Sequence, residues 1–126
     1  MKNEIILFEN QNIKLEVNLN EETVWLTQNQ MAELFGRDVK TISKHIINTF
    51  DEELDEKSNS QKTRIANSDK PVNIYNLDVI ISVGYRVKSK NGIIFRKWAN
   101  KILKEYMIKG YSINTKRLEY LEKPLN

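Results

Sequence analysis

The first third of the chain alternates apolar and polar residues with the two-residue period of a strand. EIILF is followed by IKLEV, with Ile13, Leu15 and Val17 on one side, and then by TVWL. The Asn and Gln residues at 10–12 and the polar run Asn18 to Glu22 supply the turns, so a small antiparallel sheet is expected over residues 3–26. Trp25 reads as a strand residue packed on the first helix. The period changes at Thr27. Thr27 and Gln30 form a capping-box pair, in which each side chain satisfies a backbone N–H of the other. A helix is expected to follow, with Met31, Leu34 and Phe35 on its apolar face, and to stop at Gly36, which enters the left-handed conformation without penalty.

Asp38 suits the N-cap of a second helix, on whose inner face Val39, Ile42, Ile46 and Phe50 recur and Ile47 widens the stripe. Lys40, Thr41, Lys44 and Asn48 occupy the other face. DEELDEKSNSQKT reads as a frayed helix end and a mobile loop. RIAN and VNIY, around Ser68 to Pro71, read as a hairpin. Asn76 then caps a third helix, with Asp78 in its first turn and Leu77, Ile80, Ile81 and Tyr85 on one side; Gly84 weakens it. KSKNG breaks the pattern before the clearest amphipathic helix. There Phe95, Trp98, Ala99, Ile102, Leu103 and Tyr106 form one stripe, and Arg96, Lys97, Asn100, Lys101 and Lys104 the other. Lys109-Gly110 is the expected stop, and Leu118 and Leu121 mark a short final helix. The fold class is α+β: small N-terminal antiparallel strands, a helix-turn-helix, a short wing-like hairpin, and two or three C-terminal helices. Residues 1–114 form one domain and 115–126 a helical tail.

Charge sharpens this picture. The net charge of +3 conceals 6 Lys+Arg against 12 Asp+Glu in residues 1–60, and 14 against 5 in residues 61–126. Between Val79 and Lys104 there are 7 basic residues and no acidic one. A block of this kind suits a polyanion. No cysteine occurs, which excludes disulfides, thiolate metal sites and a cysteine nucleophile. The apolar runs are too short to span a bilayer, and a cytoplasmic protein is expected.

The helix pair Thr27 to Ile46 meets the needs of a DNA-reading unit: Ala32 at the crossing, Gly36 in the turn, and Val39, Ile42 and Ile46 to seat the second helix. Arg37 stands where such turns commonly carry an apolar residue, and Val39 is expected to replace it in packing. An ordinary helical hairpin would fit the same spacing. Charge favours DNA, because Arg37, Lys40, Thr41, Ser43 and Lys44 are the residue types that bind phosphates and base edges, with the acidic run Asp51 to Glu56 at the far end. Arg86, Lys88, Lys90, Arg96, Lys97, Lys101 and Lys104 form the expected phosphate track.

WLTQNQMAELFGRDVKTISKHI and YNLDVIISVGYRVKSKNGIIFRKWANKILKEYMIKGYSIN resemble the N-terminal domain of the RhuM-like virulence-associated family, and more distantly the Bro-N and antirepressor N-terminal domains of phages and large DNA viruses. The specific features are Tyr75-Asn76-Leu77-Asp78, Gly84-Tyr85-Arg86, Phe95-Arg96-Lys97-Trp98-Ala99 and Lys109-Gly110-Tyr111. The resemblance implies a DNA-binding regulator of a mobile element, without catalytic residues in this part. Relatives commonly continue further, some into a toxin-like enzymatic domain, so a stand-alone or truncated module is expected.

Two other classes fit less well. An enzyme lacks its parts: His45 is the sole histidine, there is no P-loop or dinucleotide fingerprint, and neither catalytic nor metal-binding residues nor a cofactor is expected. A protein-interaction module that docks its basic face on an acidic partner would show the same charge. The expected partners are duplex DNA and a second copy of the chain, with no small-molecule substrate.

Overall fold

The computed structural model describes residues 4–64 and 69–122, with side chains as far as Tyr106. Three strands come first: β1 (Glu4–Asn10), β2 (Ile13–Asn20) and β3 (Thr23–Thr27). Helices α1 (Gln28–Phe35), α2 (Val39–Glu52) and α3 (Glu56–Asn59) follow, then the hairpin β4 (Ser60–Arg64) and β5 (Pro71–Asn76), and finally α4 (Leu77–Arg86) and α5 (Lys90–Glu122). The strands form one antiparallel sheet in the order β1-β2-β3-β5-β4. The α+β class and the N-terminal antiparallel sheet are therefore as expected.

The strand period produces a one-sided core. Phe8, Leu15, Val17, Leu19, Val24 and Leu26 face the helices, which return Met31, Leu34, Phe35, Ile42, Val79, Ile80, Val83, Phe95 and Ala99. Each of the larger side chains contributes about 1.5–3 kcal/mol by leaving water. Phe8 meets Phe95 and Trp98 edge-on at centroid distances of 5.2 and 5.1 Å, joining the first strand to the last helix. Trp25 departs from expectation. Strand alternation turns it away from Val24 and Leu26, so it is buried outside that core, where its indole N–H donates to the Asn20 carbonyl at 2.9 Å.

The local signals behave as read. Thr27 and Gln30 complete the capping box, Gly36 ends α1 at φ 63°, and Asp38 and Asn76 cap α2 and α4. Non-local facts correct other readings. DEELDEKSNSQKT is ordered: Asp55 accepts from the Ser58 N–H at 3.0 Å and the Ser58 hydroxyl at 2.8 Å, and β4 begins at Ser60. The same two bonds hold the Asp55 carboxyl below its ordinary range. The hairpin exists, but its first strand, Ser60–Arg64, ends at the first residue of RIAN, whose residues 65–67 lie outside the described residues. Gly92 lies inside α5, and the helix runs through Gly110 instead of stopping there. Glycine ends a helix where it turns left-handed, as Gly36 does, and is otherwise tolerated at a cost of about 1 kcal/mol. Leu118 and Leu121 belong to this continued helix, and their side chains lie outside the described residues.

Gly84 has a packing role. A Cβ there would stand 3.1 Å from two ring carbons of Phe35 and 3.4 Å from the Cα of Gly92, so α4, α5 and α1 meet at contact distance. A Cβ on Gly92 would meet nothing nearer than 3.4 Å. Gly84→Ala is therefore expected to destabilise the fold by about 1–2 kcal/mol, overpacking outweighing the gain in helix propensity. Gly92→Ala is expected to be neutral or stabilising. Urea denaturation of the two variants checks the contrast; equal effects would show that the crossing is loose.

Candidate nucleic-acid interface

The helix α2 is held along its length by contacts that leave one face open. At its start, Asp38 accepts from the Lys40 N–H at 2.8 Å, and the Gln28 amide donates to the Val39 carbonyl at 3.0 Å. Ile42 and Ile46 are buried in the core, and near the far end the buried Thr49 hydroxyl lies 3.1 Å from that of Ser82 on α4. Lys40, Ser43, Lys44, Ile47 and Asn48 line a shallow concavity on the outer side. Among the described residues neither Lys40 nor Lys44 forms an ion pair. Thr41 sits at the flank, its hydroxyl 3.4 Å from Asp38.

Two apolar residues expected on the inner stripe are exposed. Val39 is 41% and Ile47 57% exposed. Ile47 stands about 100° around the helix from Ile46 and further still from Ile42, which puts it on the solvent side of the buried row. Tyr85 on α4 behaves likewise. Val79, Ile80, Val83 and Val87 face inward and leave the residue 85% exposed.

Arg37 and Arg86, both expected at phosphate, are occupied within the protein. The Arg37 guanidinium donates to the Val87 carbonyl at 2.8 Å and to the carbonyls of Phe35 and Gly36 at 3.1 and 3.3 Å. It stands in the turn by bonding to the C-cap of α4, and Val39, expected to replace it in packing, is exposed. Arg86 bonds Glu52 at 2.8 Å and Glu53 at 2.6 Å, and those carboxylates raise its pKa further. The acidic end of α2 is thus largely matched within the fold. Glu53 also accepts from the Ser82 hydroxyl at 3.1 Å.

The remaining basic residues divide into two groups. The Arg37 bridge sets the start of α2 against the turn Val87 to Ser89, where Lys88 adopts φ 54°, and Lys88 and Lys90 therefore lie at the corner beside α2. Arg96 joins them around a groove between α4 and α5, whose floor is Ile81, Tyr85, Gly84, Gly92 and Ile93. Lys97, Lys101 and Lys104 form a separate exposed ridge opposite the buried stripe of α5. His45 is half-buried on the inner flank of α2, with Nδ1 enclosed and no hydrogen-bond partner among the described residues. Sequence reasoning passed over Ile47 as an outward residue, Tyr85 and Ile93 in the groove, and the exposed Lys62 and Arg64 of the hairpin.

A family model for the virulence protein RhuM family matches residues 53–125. The chain belongs to the RhuM family. The matched segment includes the hairpin, α4 and α5, the second of the two sequence blocks that carry the resemblance, while α1 and α2 precede it. No curated protein and no solved structure matches the chain. Among the described residues of this RhuM family member, no helix is long and apolar enough to cross a membrane.

Because Arg86 satisfies two carboxylates at once, Arg86→Gln is expected to lower stability by about 1–2 kcal/mol. Arg86→Lys is expected to restore only part of it, since a point-like ammonium does not reproduce the forked pairing. Thermal denaturation is the readout. Unchanged stability in both variants would return Arg86 to the pool of free cations.

Proposed function

We propose that this RhuM family member is a duplex DNA-binding module that reads the major groove with the outer face of α2, as a transcriptional regulator or antirepressor-like protein of a mobile element. The observation that carries the reading is that α2 is fixed at both ends and along one side, yet leaves Lys40, Lys44 and Ile47 exposed with Ser43 and Asn48 half-buried beside them. These are groups for phosphate oxygens, base edges and the thymine methyl. Lys88 and Lys90 add charge at the corner beside the start of the helix, and Lys97, Lys101 and Lys104 are placed to contact the backbone or to attract it at longer range. Arg37 and Arg86 act as positioning residues. The β4–β5 hairpin follows the helix pair as a wing would, with Lys62 and Arg64 exposed on it.

A second reading has its own observation. The groove of about 370 Å³ between α4 and α5 combines an apolar floor with Lys88, Lys90 and Arg96, which suits an acidic protein segment. Salt and sequence dependence separate the two readings. Affinity for duplex DNA is expected to fall steeply between low and physiological salt, as condensed counterions are released on binding. Lys40→Ala and Lys44→Ala are expected to change which sequences are preferred, at about 1–3 kcal/mol for each base contact. Lys97→Ala and Lys101→Ala are expected to weaken all duplexes alike. Mobility shifts over a salt series and a selection from random duplexes measure both effects. Absence of binding at low salt rejects the reading, and a reversed mutational pattern moves the reading surface to α5.

A further inference from the structure

We propose that β1 is the interface of a homodimer, in which two copies pair their β1 strands antiparallel about a two-fold axis at Leu7. The strand lies at one end of the sheet, and among the described residues no strand pairs with its outer edge. The two-residue turn at Gln11 and Asn12 makes Asn10 and Ile13 the closing hydrogen-bonded pair of the β1–β2 hairpin. Alternation along that ladder directs the N–H and C=O groups of Glu4, Ile6, Phe8 and Asn10 toward β2. Those of Ile5, Leu7 and Glu9 are left facing outward.

Both faces of this edge carry uncovered apolar surface. Ile5 and Leu7 are 63% and 50% exposed on the outer face. On the core face Ile6 and Trp98 are only half-buried, with the Trp98 ring against Phe8 at the margin of the core. The opposite edge differs: β4 is Ser-Gln-Lys-Thr-Arg, with Lys62 and Arg64 exposed, the kind of charge that protects an edge from pairing. In β1 the charges stand outside the central Ile-Ile-Leu-Phe, at Glu4 and Glu9.

The strand is self-complementary in one register. With Leu7 opposite the partner's Leu7, all residues of β1 are paired, Ile6 meets the partner's Phe8, and Glu4 meets the partner's Asn10. Ile5, Leu7 and Glu9 then satisfy every outward backbone group, and the helices of both copies remain on the same side of a continuous sheet. A slip of one residue would place Glu4 opposite the partner's Glu9 and reverse the faces. A slip of two in the same direction would set Glu4 against the partner's Phe8 and leave Glu9 and Asn10 without partners in β1. The occupant best suited to the edge is therefore a second copy of the chain. This inference does not depend on DNA binding.

The full chain is expected to sediment as a dimer at micromolar concentration. The absence of cysteine allows a direct test with Leu7→Cys. Hydrogen-bonded antiparallel partners have Cα atoms about 5.5 Å apart, within disulfide range. Mild oxidation is expected to convert most of Leu7→Cys to a cross-linked dimer while Glu33→Cys, exposed on α1, remains uncrosslinked. Leu7→Lys, which alters an exposed position, is expected to retain the circular dichroism of the parent and to weaken association by roughly tenfold or more through like-charge juxtaposition. A monomeric parent chain overturns the proposal. So does a dimer that Leu7→Lys leaves intact and Leu7→Cys does not cross-link above the Glu33→Cys level. DNA binding measured alongside can fail or succeed without changing either outcome.

Discussion

The contact between the Phe35 ring and the paired glycines Gly84 and Gly92 is the constraint on which the arrangement of helices depends. Without side chains at these two positions, α4 and α5 approach closely enough for the last residue of α1 to rest on their crossing. Two polar links lock the same corner: the Asn91 amide donates to the Leu34 carbonyl at 2.8 Å, and Arg37 reaches the Val87 carbonyl at 2.8 Å. The end of α1 and the start of α2 are therefore keyed to the α4–α5 turn. The segment matched by the family model begins at residue 53, and its Phe95 shares one core with Phe35 of α1.

That corner also organises the charge. The C-terminal end of a helix carries partial negative charge, so Asp51, Glu52 and Glu53 are unfavourably placed at the end of α2. Arg86 offsets this by bonding two of the three, and the Thr49–Ser82 hydroxyl pair anchors the same end. The acidic N-terminal half and basic C-terminal half of the chain are thus stitched together where their charges meet. Among the described residues, Lys40 and Lys44 on α2 and Lys97, Lys101 and Lys104 on α5 take no part in these ion pairs. The charge division in the sequence exceeds the division on the surface, because part of it is spent internally.

The features legible in the sequence are those decided within a few residues. Thr27, Asp38 and Asn76 cap helices because a side chain meets a backbone group two or three positions away, and Gly36 stops α1 by its own left-handed backbone. The alternation of β2 and the stripe of α5 likewise need no knowledge of the partner. The illegible features are decided across the chain. Arg37 and Val87 are 50 positions apart, and Arg86 and Glu52 are 34 apart; nothing local distinguishes these arginines from phosphate ligands. Gly36, Gly84, Gly92 and Gly110 look alike in sequence, yet only the first of them terminates a helix. Ile47 and Tyr85 differ from expectation for a related reason, since helical spacing permits two adjacent stripes and only the packing of neighbours selects one. Val39, by contrast, shares the row of Ile42 and Ile46 and is exposed at the first position of α2.

A surface that recognises a rigid partner gains from being rigid itself, because atoms already held in place lose little entropy on binding. Helix α2 has this property in its backbone. Its first turn is capped by Asp38 and abuts the Arg37 bridge, its middle is buried through Ile42 and Ile46, and its end is tied through Thr49 and Arg86. The freedom that remains lies in the side chains of Lys40, Lys44, Ile47 and Asn48, which can adapt to a surface without moving the helix. Burying Ile47 against the protein would have required rotating α2 and withdrawing Ile42 from the core. The seating of the inner face therefore determines, through the helical period alone, which residues the outer face presents.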